Sequence, residues 1–296
     1  MRPGLLLALL LCPVTAAAAP AVLDARLDYT ATVHGLPVLD LRAQFEFWPG
    51  GYRMRLAYHT VGLVGFFYRG RQVDRVAGTW HDGQAVPRSY HALGRWHGET
   101  HLLVMDYRAG RPIIRRVVPP ISTERHPVPP AQQRGTIDTL SAVVDLLRRV
   151  AASGGCDDHA QTFDGRRLSV IASSDAGLAS LPHPGGVPGG SVPTAGPALR
   201  CAITGRMLAG FLFGHSQRDS RPLRGTVWFA RLAADGTPLP VRLRFQTDWF
   251  GEMTMVLRHA ALGPPDLTTV AVREPRPSPL RAAAGSGVQS GTASSR

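Results

Sequence analysis

Thr136 to Arg167 reads TIDTLSAVVDLLRRVAASGGCDDHAQTFDGRR: an amphipathic helix, a cysteine, then strand sequence that turns at Asp164-Gly165 into more strand sequence. Leu140, Val143, Val144, Leu147, Val150 and Ala151 recur at helical spacing and share one face. Thr136 or Asp138 suits the N-cap, Arg148 and Arg149 suit the carboxyl end, and Gly154 suits the terminating position. A helix with a single apolar face needs an apolar surface to cover. The rest of the chain supplies it as β-structure.

From Leu39 to Phe47 the odd positions are apolar and the even ones polar, the period of a strand with one buried face. Pro49-Gly50-Gly51 then turns the chain into a second alternating run through Tyr52, Met54, Leu56 and Tyr58, which makes a hairpin. The same reading predicts strands at Asp24–His34, Phe66–Trp80, Arg88–Trp96, Glu99–Tyr107 and Pro112–Val118, with turns at His81-Asp82-Gly83 and Ala109-Gly110. A Pro-rich connection from Pro119 to Pro130 leads to the helix. Strands resume at His159–Phe163, Arg166–Ala172, Ala198–Gly205, Gly225–Leu232, Leu239–Thr247 and Glu252–Ala260, with a turn at Asp235-Gly236. The Gly- and Pro-rich stretch Asp175–Pro197 reads as a flexible surface loop. The expected fold is mainly β: a curved antiparallel sheet or incomplete β-barrel with one packed α-helix.

Met1-Arg2, the apolar run Leu5–Leu11 and the small residues Thr15–Ala19 have the layout of a secretory signal peptide. That gives an expected leader at 1–20, a single β-rich domain at 21–262, and a disordered Pro-, Ala-, Gly- and Ser-rich tail at 263–296. No later run has the roughly 20 apolar residues of a membrane-spanning helix, so the mature chain is expected to be soluble. Export leaves Cys156 and Cys201 in an oxidising compartment, where they are expected to pair and close a loop of about 45 residues.

The formal net charge is +12, and all 33 basic residues are arginine. The arginines are spread along the chain, whereas a nucleic-acid footprint gathers them on one stripe, so no nucleic-acid partner is expected. Anionic lipid head groups suit such a surface better, because guanidinium groups engage their oxygens in pairs.

No nucleophile elbow, metal cage or phosphate loop stands at diagnostic spacing, so no cofactor is expected and an enzyme is the weaker reading. His97, Glu99 and His101 alternate and would share one strand face, which makes them the best metal candidates. Same-face neighbours on one strand form a flat row, however, and a solvated face explains them as well. Asp138 and Ser141 are read as a helix cap and its first turn. Two apolar runs do not alternate: Gly62–Tyr68, with Leu63, Phe66 and Phe67, and Met207–Phe213, with Met207, Phe211 and Phe213. Each reads either as a buried strand or core loop, or as the mouth of an apolar cavity.

A Tyr29-led first strand with Gly35-Leu36-Pro37, Gly62 after the hairpin, Pro87 ahead of a strand, and Asp138 with Ser141 resemble an exported bacterial family, domain of unknown function 3108. Phe163-Asp164-Gly165-Arg166, Cys201, Pro240-Val241-Arg242 and Gly251 extend the resemblance over nearly the whole mature chain. It implies an exported β-rich fold with no established activity, and it transfers no catalytic residues. By fold-level analogy, lipoprotein carriers of the Gram-negative envelope hold acyl chains between a sheet and a helix. The expected function is periplasmic, non-catalytic binding of a lipid, lipoprotein or other apolar envelope component, with helix displacement exposing the concave face. A scaffold that binds another envelope protein is the alternative, and a metal-assisted enzyme ranks third.

Overall fold

The computed structural model describes residues 23–181, 196–215, 220–232, 236–247 and 251–263. The expected leader, the tail beyond Gly263 and residues 182–195 of the expected surface loop lie outside the described residues.

Seven strands precede the central helix: β1 (Leu23–Val33), β2 (Leu36–Trp48), β3 (Gly51–Thr60), β4 (Gly70–His81), β5 (Gln84–Trp96), β6 (Glu99–Arg108) and β7 (Arg111–Val118). A short helix, α1 (Gly62–Phe67), connects β3 to β4, and α2 (Thr139–Ser153) is the predicted amphipathic helix. Six strands follow it: β8 (Asp158–Phe163), β9 (Leu168–Ser180), β10 (Pro197–Ala209), β11 (Leu223–Arg231), β12 (Pro238–Thr247) and β13 (Gly251–Leu262). All thirteen form one antiparallel sheet in the order β7-β6-β5-β4-β3-β2-β1-β13-β12-β11-β10-β9-β8. The sheet is nearly closed into a barrel, in agreement with the expected fold class.

Consecutive strands hydrogen-bond to each other except β7 and β8, the two edges, and the first and last strands, β1 and β13, also pair. Tight two-residue turns make this meander cheap to build. His34-Gly35, Asp82-Gly83, His97-Gly98 and Ala109-Gly110 all have positive φ at both positions, the turn whose twist matches that of paired strands. The gap between edge strands β7 and β8 is bridged by the Pro-rich connection. Gly135 donates to Gly110 of the β6–β7 turn, while Ile137 exchanges backbone bonds with Gln161 and Phe163 on β8.

Helix α2 packs inside one end of the barrel, against β4, β5, β8 and β12. Leu140, Val144, Leu147 and Val150 are buried, whereas Val143, expected on the same face, is exposed at its margin. The cap is Asp138. Its carboxylate accepts from the Ser141 backbone N–H (2.9 Å) and the Ser141 hydroxyl (2.7 Å), and the Tyr52 hydroxyl completes the chain 2.7 Å from Ser141 Oγ. Gly154, in the left-handed conformation, ends the helix. Cys156 follows, bonded to Cys201 on β10, with 6.1 Å between Cα atoms. The bridge ties the exit of the helix to the sheet wall.

Two expectations are corrected, and a third lies outside the described residues. Gly62–Phe67 is a helix rather than the start of a strand, so β4 begins at Gly70. Residues 175–180 continue β9, because Asp175 to Ser180 pair with Cys201 to Pro197. The turn expected at Asp235-Gly236 has Asp235 outside the described residues.

Removing the sulfur bridge frees a long loop in the unfolded chain, which costs about 2–5 kcal/mol. Cys201→Ala, or reduction of the native protein, should lower the unfolding free energy by that amount in urea denaturation. An unchanged midpoint would show that the bridge contributes nothing.

Candidate functional site

Alternation sends every second side chain of a strand to the concave face, and the pairing register identifies which ones. At the helix end the inward series includes Ala25 and Leu27 on β1, Phe45 and Phe47 on β2, Tyr52 and Met54 on β3, and Leu239 and Val241 on β12, all of them buried. Toward the opposite end the same faces continue as Leu41 and Leu39, Leu56 and Tyr58, Leu243 and Phe245, and Met253 on β13. These side chains are only half-buried. Apolar groups that point into a curved sheet and yet reach solvent line a hollow. Helix α2 does not extend over it.

One wall of this hollow is polar. Gln72 and Asp74 face inward from β4, in register with Tyr58 and Leu56. Trp96 Nε1 donates to Gln72 Oε1 (3.2 Å), and Gln72 Nε2 donates to Asp74 Oδ1 (2.7 Å). The Trp96 ring lies flush on Gly70, where a Cβ would come within 2.1 Å of it. Burial pushes the Asp74 carboxyl up to about 6, partly offset by hydrogen bonds from Gln72 and Tyr90, and nearby Asp164 raises it further. Among the described residues no cation forms an ion pair with Asp74. Burial likewise raises Tyr58 and Tyr90, so both hydroxyls stay protonated at neutral pH.

The β8–β9 turn reaches into the same space. Gly165 packs against Leu103, whose register places it on the inner face of β6. Asp164 shapes the turn by accepting from the backbone N–H groups of Arg166 and Arg167. The Arg167 guanidinium donates through Nε to Asp164 Oδ2 at 2.6 Å and faces Tyr90 and Tyr58.

Both apolar runs singled out in the sequence lie at the open end. Leu63, Phe66 and Phe67 on α1 are 69%, 71% and 79% exposed, with the two phenyl rings edge to face. Across the barrel, Met207 near the end of β10 is half-buried, Phe211 is half-buried, and Phe213 is exposed with its ring against His126. Neither run is a buried core strand. His97 occupies a turn, with φ of 51°, and its ring meets Tyr68 at 3.7 Å. Glu99 and His101 pair with Trp96 and Gly94, on the inner face near the mouth rather than on the outer face. Among the described residues no three His, Cys, Asp or Glu side chains are grouped to hold a metal ion.

At the helix end, a cleft of about 620 Å³ lies between α2, the β4–β5 turn and β8. Its lining includes Asp82, Asp145, Arg148, Arg149, Asp158 and His159, a charged surface unsuited to an apolar chain. Among the described residues no helix is long and apolar enough to cross a membrane.

No protein-family model matches the chain. No curated protein matches it. Solved structures do share the architecture. A β-barrel-like protein of domain of unknown function DUF1849 from Brucella abortus aligns with a TM-score of 0.50 and 11% identity, over 82% of this chain and 99% of its own. A chain described as "a putative lipoprotein" from Parabacteroides distasonis aligns over 80% of this chain and 95% of its own, at 8% identity and a TM-score of 0.29, too loosely to argue from. The chain therefore has the fold of an uncharacterised β-barrel-like class, and at such identities the likeness extends to the fold alone.

Asp74 titrates in a way that tests the polar wall. Its folded pKa of about 6 lies above the ordinary value of 3.8, so the folded state holds the proton more tightly than the unfolded chain. The resulting stability is present below about pH 4 and is lost as pH rises through about 6. Asp74→Asn should therefore stabilise the protein at about pH 7.5 by on the order of 2 kcal/mol more than at about pH 4. Thermal unfolding at both pH values checks this; an equal effect at each would place an ordinary, solvated carboxylate there.

Proposed function

We propose that this protein is a carrier that holds a lipid, or the acyl chains of a lipoprotein or similar apolar envelope component, in the hollow of its open half. The observation that supports this reading is the half-exposed inner wall. Leu39, Leu41, Leu56, Leu243, Phe245 and Met253 point inward, pack against the buried core and stay part-exposed. Each buried methylene of a ligand tail would gain about 0.8 kcal/mol there. No lid movement is required. Displacing α2 would expose Leu140, Val144, Leu147 and Val150 at about 1.5–3 kcal/mol each, a sum comparable to the stability of a whole domain. The helix is thus a fixed plug, and the ligand enters from the other end.

Leu63, Phe66 and Phe67 on one side of that mouth, and Met207, Phe211 and Phe213 on the other, form the entrance. The leader pattern and the Cys156–Cys201 bridge favour export, and the arginine-rich surface suits the anionic face of a Gram-negative envelope. Membership of domain of unknown function 3108 belongs to the same reading, carried by the motif residues from Tyr29 to Gly251. A second reading, docking of an envelope protein on α1, is favoured by the exposure of Phe66 and Phe67.

Delipidated protein should take up a fluorescent fatty acid saturably. Leu41→Arg and Phe245→Arg should abolish uptake without altering the circular dichroism spectrum, because a cation in the tail site has no partner. Phe66→Ser with Phe67→Ser should slow transfer from vesicles several-fold and leave equilibrium affinity nearly unchanged. Absence of saturable uptake by the parent protein would sink the carrier reading, and a specific crosslinked partner at α1 would then favour docking.

A further inference from the structure

The carrier reading leaves open what kind of head group the tail would bear, and one residue bears on it. Arg167 is a charged side chain set beside the inner wall with donors to spare. Its neighbour Arg166 is already engaged, with Nη2 donating to the Pro119 carbonyl at 2.6 Å and Nη1 near Glu124. Among the described residues Arg167 hydrogen-bonds through Nε alone. A guanidinium has five N–H donors, so the four on its terminal nitrogens remain. Its side chain is 49% exposed, although Tyr58, Tyr90 and Asp164 surround it. That combination describes a cation inside an open cavity rather than one on an outer surface.

We infer that the terminal edge of Arg167 receives the anionic head of an amphiphile, a carboxylate or phosphate group, whose tail lies along Leu41, Leu56 and Phe245. This rests on the carrier reading and adds the ligand's chemistry to it. The planar fork of a guanidinium matches the paired oxygens of such a head group. Asp164 does not use up that capacity. Its Oδ1 serves two backbone N–H groups and its Oδ2 takes the Nε edge, which fixes the guanidinium and leaves the opposite edge free. Asp74, the other carboxyl group of this wall, is buried and is held by Gln72 and Tyr90. The Tyr58 and Tyr90 hydroxyls, both protonated, can donate to the same head group.

The test titrates delipidated protein with a fluorescent fatty acid and with its methyl ester, which share a tail and differ in charge. The acid should bind roughly tenfold to a hundredfold tighter, the range of a charge-assisted hydrogen-bonded pair. Arg167→Gln should erase that preference while ester binding persists, and Arg167→Lys should retain part of it. Asp74→Asn should tighten acid binding and leave the ester unaffected. Inorganic phosphate should fail to displace the acid; displacement by phosphate as effective as by unlabelled fatty acid would assign the site to a free anion and overturn the proposal. Equal affinity for acid and ester in the parent protein, with uptake intact, overturns the Arg167 anchor and leaves the carrier reading standing. Uptake of neither overturns both. The comparison within the parent protein does not depend on how well any variant folds.

Discussion

The concave face of this sheet is largely apolar, and one fifteen-residue helix packs against it. At 1.5 Å per residue that helix spans about 22 Å, whereas strands of ten to thirteen residues run roughly 33–43 Å. The mismatch divides the barrel in two. Where α2 lies, Phe45, Tyr52, Leu239 and Val144 form a sealed core, closed by the Asp138 cap and the Cys156–Cys201 bridge. Beyond its reach the same strands keep inner faces whose apolar side chains, such as Leu41, Leu56 and Phe245, are only half-buried. The tightly packed core is concentrated at one end, and the part-exposed apolar lining lies at the other.

The strands were legible because period-two alternation depends only on one face being buried and the other wet. That holds for β1, β2, β3 and β12, whose expected bounds lie within three residues of the observed ones. It fails where the inner face is itself polar. On β4, Gln72 and Asp74 share a face with Val76, so the sequence Gln72-Val73-Asp74-Arg75-Val76 shows no clean alternation, and the polar wall was invisible without the register. The side-chain course of Arg166 and Arg167 is equally absent from the sequence; the turn of β8 into β9 sets Arg166 on the Pro119 carbonyl and Arg167 on Asp164, beside Tyr58 and Tyr90. Helix α1 was missed because Gly62-Leu63-Val64-Gly65-Phe66-Phe67 is short, glycine-bearing and uniformly apolar, a pattern with no periodicity to read. The two apolar runs were legible as a pair of alternatives, and the structure leaves α1 exposed and Met207–Phe213 part-exposed.

The residues behind the family resemblance turn out to be joints. The Tyr29 hydroxyl donates to the Pro240 carbonyl across the barrel at 2.6 Å, linking the first strand to β12. Gly62 sits so close to the Pro37 carbonyl that a Cβ would come within 2.6 Å of it, which seats α1 on β2. Asp138 and Ser141 cap α2 onto Tyr52, and Asp164 shapes the turn that enters the hollow. Such residues specify how strands meet, and Leu41, Leu56, Asp74 and Phe245 are not among them. A likeness built on joints reports architecture and is silent about ligand, as is a shared fold at 11% identity.

An apolar hollow with a half-exposed lining is thermodynamically incomplete, because that lining forgoes part of the burial that the other half of the barrel enjoys. Anything apolar that fills it binds the folded state and not the unfolded chain, so occupancy and stability rise together. The polar wall limits what can fill it. Asp74, Gln72, Tyr90 and Trp96 satisfy one another, whereas the terminal nitrogens of Arg167 make no hydrogen bond among the described residues, so on the carrier reading an occupant lacking acceptors would strip their hydration without replacing it. On the carrier reading a purely hydrocarbon ligand would be penalised at this wall and rewarded at the other. An amphiphile with a compact acidic head would meet both walls on their own terms, with its tail against β2, β3 and β12 and its charge at the β8–β9 turn.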